Sequence, residues 1–168
     1  MSFTASRAAT PTITVSLPDL QESALSNPPA NASTGGNFRV SDTVTNFGTA
    51  TAVQSTTRYY LSTTPAKTPT AILLIGSRLV PNLRPGSSST GFATVTIPNG
   101  ANSGQYYVVA CADDLNNVTE SNETNNCRAS TTLITVQGSS TATATASPTS
   151  TSTVTSTVTS TPTQTDTY

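Results

Sequence analysis

The chain reads as all-β, an immunoglobulin/fibronectin-III-like antiparallel sandwich of about seven strands followed by an extended Ser/Thr-rich tail. Three observations point there. Short runs with period-two alternation recur at roughly 8–12 residue spacing between Gly, Pro and Asn punctuation. Helical patterning is nearly absent. Two cysteines, Cys111 and Cys127, stand at the ends of two strand-like runs as if clamping a hairpin.

The first element, Pro18 to Ser26, is weak. Asn37 to Asn46 is stronger, setting Phe38, Val40, Asp42 and Val44 against Arg39, Ser41, Thr43 and Thr45. One face is apolar and the other polar, as a half-buried strand requires. Asp42 interrupts the apolar face and is expected near a strand end or in a pair. Gln54 to Ser62, Ala71 to Val80 and Gly91 to Pro98 follow. Gln105 to Cys111 then pairs with Arg128 to Val136 across a long loop. Phe38, Leu61, Val95, Ile97, Tyr106, Val108 and Ala110 form the predicted inward set. In Tyr59-Tyr60 and Tyr106-Tyr107, neighbouring side chains should point to opposite faces, one ring in the core and one at the surface. Core packing is a better account of these rings than a carbohydrate platform.

Composition removes several functions. Only 9% of the 168 residues are charged and the net charge is −1. No basic stripe exists to meet nucleic acid, and no polybasic patch to meet a membrane. Nowhere is there an apolar run of ~18 residues, so no membrane insertion is expected. Histidine is absent, which removes the usual general base near neutral pH and the commonest metal ligand. A Ser-His-Asp arrangement is impossible, and a zinc site would lack its usual ligands. The chain is therefore expected not to be an enzyme and to need no cofactor, with calcium the one candidate ion.

The loop between the cysteines concentrates the chemistry. Cys111 and Cys127 are expected to form a disulfide, which places the protein outside the reducing cytosol. A reactive-thiol role would need a nearby cation, and Arg128 is the candidate the sequence offers. Asp113, Asp114, Asn116, Glu120, Glu123, Asn125 and Asn126 supply hard oxygen ligands of the kind calcium takes. Their spacing is not that of an EF-hand. The simpler reading is that these side chains bond to backbone and hold the turn. Sequons for N-glycosylation occur at Asn31, Asn117 and Asn122, two of them in this loop, which suits an exposed segment.

Three regions follow from composition: a strand-like lead at 1–16, the sandwich at 17–137 and a Ser/Thr/Pro-rich stalk or linker at 138–168. The sandwich, about 120 residues, is a common size for one domain. The start lacks the apolar core of a secretory signal, which predicts a piece of a longer secreted protein. In the tail nearly every odd position is threonine. Thr141, Thr143, Thr145, Thr149, Thr151, Thr153, Thr155, Thr157, Thr159 and Thr161 are candidate O-glycosylation sites in a mucin-like stalk.

Several short blocks fall in a shared order: Pro18-Asp-Leu20, Asn27-Pro-Pro29, Val44-Thr-Asn-Phe-Gly-Thr-Ala50, Tyr59-Tyr-Leu-Ser62, Gly76-Ser77, Val80-Pro-Asn-Leu83, Gly104-Gln-Tyr-Tyr107, Ala112-Asp113 and Glu120-Ser-Asn-Glu-Thr-Asn-Asn126. In this the chain resembles CARDB domains, the cell adhesion related domains found in bacteria, over about residues 17 to 137. The resemblance implies an immunoglobulin-like sandwich used as an extracellular structural or adhesion module in prokaryotic surface or secreted proteins. Partners would be neighbouring copies, other surface proteins or glycans. Residues 7–15 also echo residues 128–136, 121 positions later. That spacing is one domain length, as in a tandem repeat. The other readings are a filament subunit joined by strand addition through its terminal segments and an accessory domain of a secreted hydrolase.

Overall fold

The computed structural model describes residues 15–138. Among them are eight strands and no helix: β1 (Leu20–Leu25), β2 (Asn31–Ser33), β3 (Asn37–Asn46), β4 (Ser55–Ser62), β5 (Ile72–Val80), β6 (Ser88–Thr96), β7 (Gly104–Cys111) and β8 (Cys127–Gln137). They hydrogen-bond in the order β1-β3-β6-β5-β4-β7-β8-β2. The sheet curls into two facing layers, β1-β3-β6 and β5-β4-β7-β8-β2. A single ladder pair, Ile75 with Thr96, joins the layers at the corner. Gly76 makes that corner possible. Its φ is 125°, and a Cβ there would meet the Thr94 carbonyl oxygen at 2.5 Å. Only glycine tolerates both.

Between the layers lies the main core, which contains all seven residues of the predicted inward set together with Tyr59, Leu74, Ile134 and Val136. Each fully buried Val, Leu or Ile side chain contributes ~1.5–3 kcal/mol relative to exposure. A second cluster, Leu20, Val44, Ala52, Val80, Leu83, Ala112 and Val118, closes one end of the sandwich.

Three expectations change, and one open alternative is decided. An eighth strand appears because Asn31–Ser33 pairs with β8, and this pair is parallel rather than antiparallel. Three residues between prolines and glycines are too few to show a period. Strand β6 begins at Ser88, before the expected Gly91, since its first residues are all hydroxylated and lack alternation. Of the two alternatives for Asp42, the structure bears out the pair: it lies inside β3 and is bound to Arg78. Tyr59 and Tyr60 are both buried. Tyr60 faces outward as alternation requires, but it packs with Val109 and Cys111 in a separate cluster that Ala71 joins. Lys67 covers its ring at 4.6 Å. The β4–β5 loop thus folds back over the outer sheet face.

Beside the main core sits a buried group of four ionisable side chains, Glu22, Asp42, Tyr59 and Arg78. Arg78 Nε donates to both carboxylate oxygens of Asp42 at 2.9 Å, and Arg78 Nη2 also contacts Asp42. The Tyr59 hydroxyl donates to Asp42 Oδ1 at 2.7 Å. Glu22 Oε1 accepts the Thr57 hydroxyl at 2.9 Å, while its Oε2 is buried without a partner. One guanidinium cannot serve two carboxylates in so dry a place. Burial, then the like charge of Asp42, push the Glu22 pKa from 4.5 up to about 8. Burial and the bond to Asp42 also raise Tyr59.

The folded protein therefore keeps a proton on Glu22 that the unfolded chain loses above pH 4.5. This contribution to stability is full below pH 4.5, falls as the pH rises to about 8, and is gone above that. The slope reaches about 1.4 kcal/mol per pH unit for one proton. Urea denaturation across this range should show stability declining as pH rises. Glu22→Gln should flatten much of the decline and raise stability at pH 8; an unchanged profile would refute the assignment.

Candidate functional site

The acidic loop, residues 112–126, is held at its base by Cys111 and Cys127, which sit directly opposite each other in the β7–β8 ladder. Their sulfurs are 2.02 Å apart and their Cα atoms 4.0 Å apart, a disulfide. Strand pairing brings the two positions together, and the bridge fixes the loop's width. Just above it, Ala112 N–H donates to the Asn126 carbonyl at 3.0 Å.

The first half of the loop turns on two left-handed residues, Asp113 (φ 43°) and Asn116 (φ 53°), a conformation that Asp and Asn adopt more readily than most. Asp113 accepts the N–H groups of Asn117 at 3.2 Å and Val118 at 2.8 Å. Burial raises its pKa and these N–H bonds oppose the rise. Asp114 turns the other way. Its carboxylate takes the Tyr60 hydroxyl and the Lys67 ammonium, with Arg58 Nη1 at 3.5 Å. Its N–H donates to the Thr56 carbonyl at 3.1 Å. Asp114 thus fastens the loop to β4 and to the β4–β5 loop.

The second half docks on β1. Glu120 Oε2 accepts the Leu20 N–H, and Oε1 accepts Asn126 Nδ2 at 2.8 Å. Glu120 N–H donates to Glu123 Oε1 at 2.8 Å. Ser121 N–H donates to the Pro18 carbonyl at 2.9 Å, and Asn125 Nδ2 to Asp19 Oδ1 at 2.9 Å. Burial pushes the Glu120 pKa up to about 7, against the pull of Leu20 and Asn126. Asn125 Oδ1 and Asn126 Oδ1 are buried without partners.

Five of the seven oxygen-bearing residues, Asp113, Asp114, Asn116, Glu123 and Asn126, line one depression, whereas Glu120 and Asn125 bind β1 and its lead-in, and the carboxylates are turned to different partners. Asp113 faces its own loop, Asp114 faces cations, and Glu120 faces β1. Among the described residues no three Asp, Glu, Cys or His side chains are grouped to hold a metal ion. The loop is also less exposed than its sequons suggest: Asp113, Glu120 and Asn126 are buried, whereas Asn117 and Asn122 are exposed, as is Asn31 in β2. Arg128 is not the only cation near the bridge. Lys67 lines a depression of about 290 Å³ with Cys111, Cys127, Asp113, Asp114 and Glu123. The tail threonines and residues 1–14, including most of the 7–15 echo, lie outside the described residues.

Sequence reading missed Asn46, which is fully buried. Its Oδ1 accepts the N–H groups of Asp19 and Gly48 at 3.1 and 3.0 Å, and its Nδ2 donates to the Ala50 and Leu83 carbonyls at 2.8 and 2.9 Å. The signal was present in Asn46-Phe47-Gly48: a Cβ on Gly48 would meet the Leu17 carbonyl oxygen at 2.4 Å. Asp19 and Lys67 were likewise recognisable only from their partners.

The bridge closes a loop of about 15 residues, which in the chain-entropy model contributes roughly 3 kcal/mol. Replacing both cysteines by serine should lower the unfolding free energy by about that amount in guanidinium titrations. Equal midpoints for the two proteins would exclude a stabilising staple.

Comparison with known proteins gives the family. The CARDB family model matches residues 17–130. No curated protein matches the chain. Among solved structures, a CARDB domain from Pyrococcus furiosus, crystallised with di-metal ions, is 22% identical with a TM-score of 0.48, covering 74% of this chain and 97% of that one. A domain described as part of a cell surface protein of Methanosarcina acetivorans is 19% identical with a TM-score of 0.49, covering 72% and 93%. A β-glucosidase from Listeria innocua is 17% identical with a TM-score of 0.41, but the similarity covers 73% of this chain and only 16% of the enzyme. The family match spans well over half of the sequence, and the chain belongs to the CARDB family, a group of adhesion-related surface modules.

Proposed function

We propose that this chain is a non-catalytic extracellular module that spaces or attaches other surface components, with its Ser/Thr-rich tail as a stalk. One observation beyond the family carries this reading. Every buried carboxyl group among the described residues accepts at least one hydrogen bond from the fold itself: Glu22 from Thr57, Asp42 from Arg78 and Tyr59, Asp113 from backbone N–H groups, Asp114 from Lys67 and Tyr60, and Glu120 from Leu20 and Asn126. Groups fixed in this way offer no general acid or base facing a substrate. The disulfide supports an oxidising setting.

The partners would be neighbouring copies, other surface proteins or glycans. Calcium has no part in this reading, because the loop is shaped by protein hydrogen bonds. Fractionation of producing cells, followed with an antiserum, should place the protein in the envelope or the medium with no free thiol; a reduced cytosolic protein would overturn the proposal. Melting of the full chain should be the same with excess calcium and with chelator. A rise in Tm with calcium would show that the acidic loop takes a cation after all.

A further inference from the structure

Three sequons share one motif, but the fold presents them differently. Asn31 lies in β2, where its register partner is Thr135 of β8. The Thr135 N–H donates to the neighbouring Ala30 carbonyl at 2.8 Å. Asn117-Val-Thr119 is pinned through its backbone, since the N–H groups of Asn117 and Val118 both bind the Asp113 carboxylate. Val118 is also buried in the end cluster of the sandwich. Neither stretch can leave its place without breaking a ladder or a core contact.

Asn122-Glu-Thr124 is different. Asn122, Glu123 and Thr124 are all exposed, in a run that begins at Ser121. Of the three sequons, this is the one whose three residues are all exposed. The Thr124 hydroxyl donates to Asn122 Oδ1 at 2.7 Å, and the Thr124 N–H donates to the same oxygen at 3.1 Å. Both bonds hold the amide oxygen back against the turn. Asn122 Nδ2 donates to no protein acceptor among the described residues and faces solvent. The segment runs between two anchors, Ser121 on Pro18 and Asn125 on Asp19.

We infer that Asn122 is the N-glycan acceptor of this module, selected over Asn31 and Asn117 by the exposure of its whole sequon and by the Thr124 contact. The donor class is an oligosaccharide carried on a lipid diphosphate. Asn122 Nδ2 forms the new bond to the anomeric carbon, and the bond from that carbon to the phosphate oxygen breaks. The lipid diphosphate leaves with the electron pair, and one amide proton passes to a base of the transferase. The inference rests on the extracellular reading, because donor and transferase act on exported chains.

The test uses full-length protein purified from its own producing cells. Cleavage at glutamate separates Asn117 from Asn122 at Glu120, and mass spectrometry of the fragments assigns any sugar. A hexose-containing mass is expected on the fragment with Asn122, with Asn31 and Asn117 unmodified. Asn122→Gln and Thr124→Ala should each abolish it, whereas Thr124→Ser should retain it. A bare Asn122, or equal or greater occupancy at Asn31 or Asn117, would overturn the assignment. A disulfide-bonded envelope protein with Asn122 unmodified would sink this inference and leave the proposed function standing.

Discussion

The pair formed by Asp42 and Arg78 is the constraint on which the sandwich depends. Asp42 belongs to β3 in one layer and Arg78 to β5 in the other, and the layers share only one ladder pair, Ile75 with Thr96. Arg78 reaches across the corner to Asp42 and also donates to Ser89 of β6 at 3.2 Å. A buried ion pair adds little net stability over well-packed hydrocarbon, but losing one partner is expensive. Its effect is to fix which strands meet. With Arg78 turned inward, β5 cannot slip by one residue against β4 without exposing the guanidinium and burying Leu79, which is 62% exposed. Glu22 then sits beside a charge already neutralised, and its proton follows from that arrangement.

The acidic loop extends the same logic to the end of the molecule. A 15-residue excursion between two strands needs something to give it one shape, and few apolar residues are present to do so. Asp113 and Asn116 supply the left-handed corners, Asp114 ties one side to β4, and Glu120 ties the other to β1. The disulfide limits the excursion from beneath. Leu20, Ala112 and Val118 are brought together by these ties into the end cluster with Val44 and Val80. The polar side chains therefore place the apolar ones here, the reverse of the usual order in a core.

How much of this was legible follows from which signals are local. Period-two alternation located β3, β7 and β8 and marked their residues in the main core, but Thr45, Val109 and Cys111 are buried on the other phase, which alternation does not foresee. Asn31–Ser33 and the Ser-rich start of β6 carry no alternation, so their pairing is decided by neighbours far away in sequence. Tyr60 shows the limit clearly. Alternation gives its direction correctly, yet its burial comes from a loop that folds back over it, held by Lys67 and Asp114. The acidic loop had a similar mixture. Its cysteines were readable as a clamp because strand pairing implies proximity. That Glu120 would meet Leu20, 100 positions earlier, was not readable, because nothing near either residue records the other.

The charge distribution bears on how such a module makes contact. Every acidic residue among the described ones takes at least one hydrogen bond from the chain itself, down to Asp19, which receives Gln21 and Asn125. What remains outward on β1, β3 and β6 is largely hydroxyl. Thr45 bridges Ser23 and Ser88 at 2.8 Å on each side, and Thr43 meets Thr90 at 2.9 Å. The main exception is Phe92, stacked under Arg39 at 3.3 Å. A face built this way has little long-range field to steer a partner. Contact with it depends on shape and short hydrogen bonds, which salt screens far less than it screens surface charge. Under the proposed reading, that is the property an attachment module needs where ionic conditions are not under the cell's control.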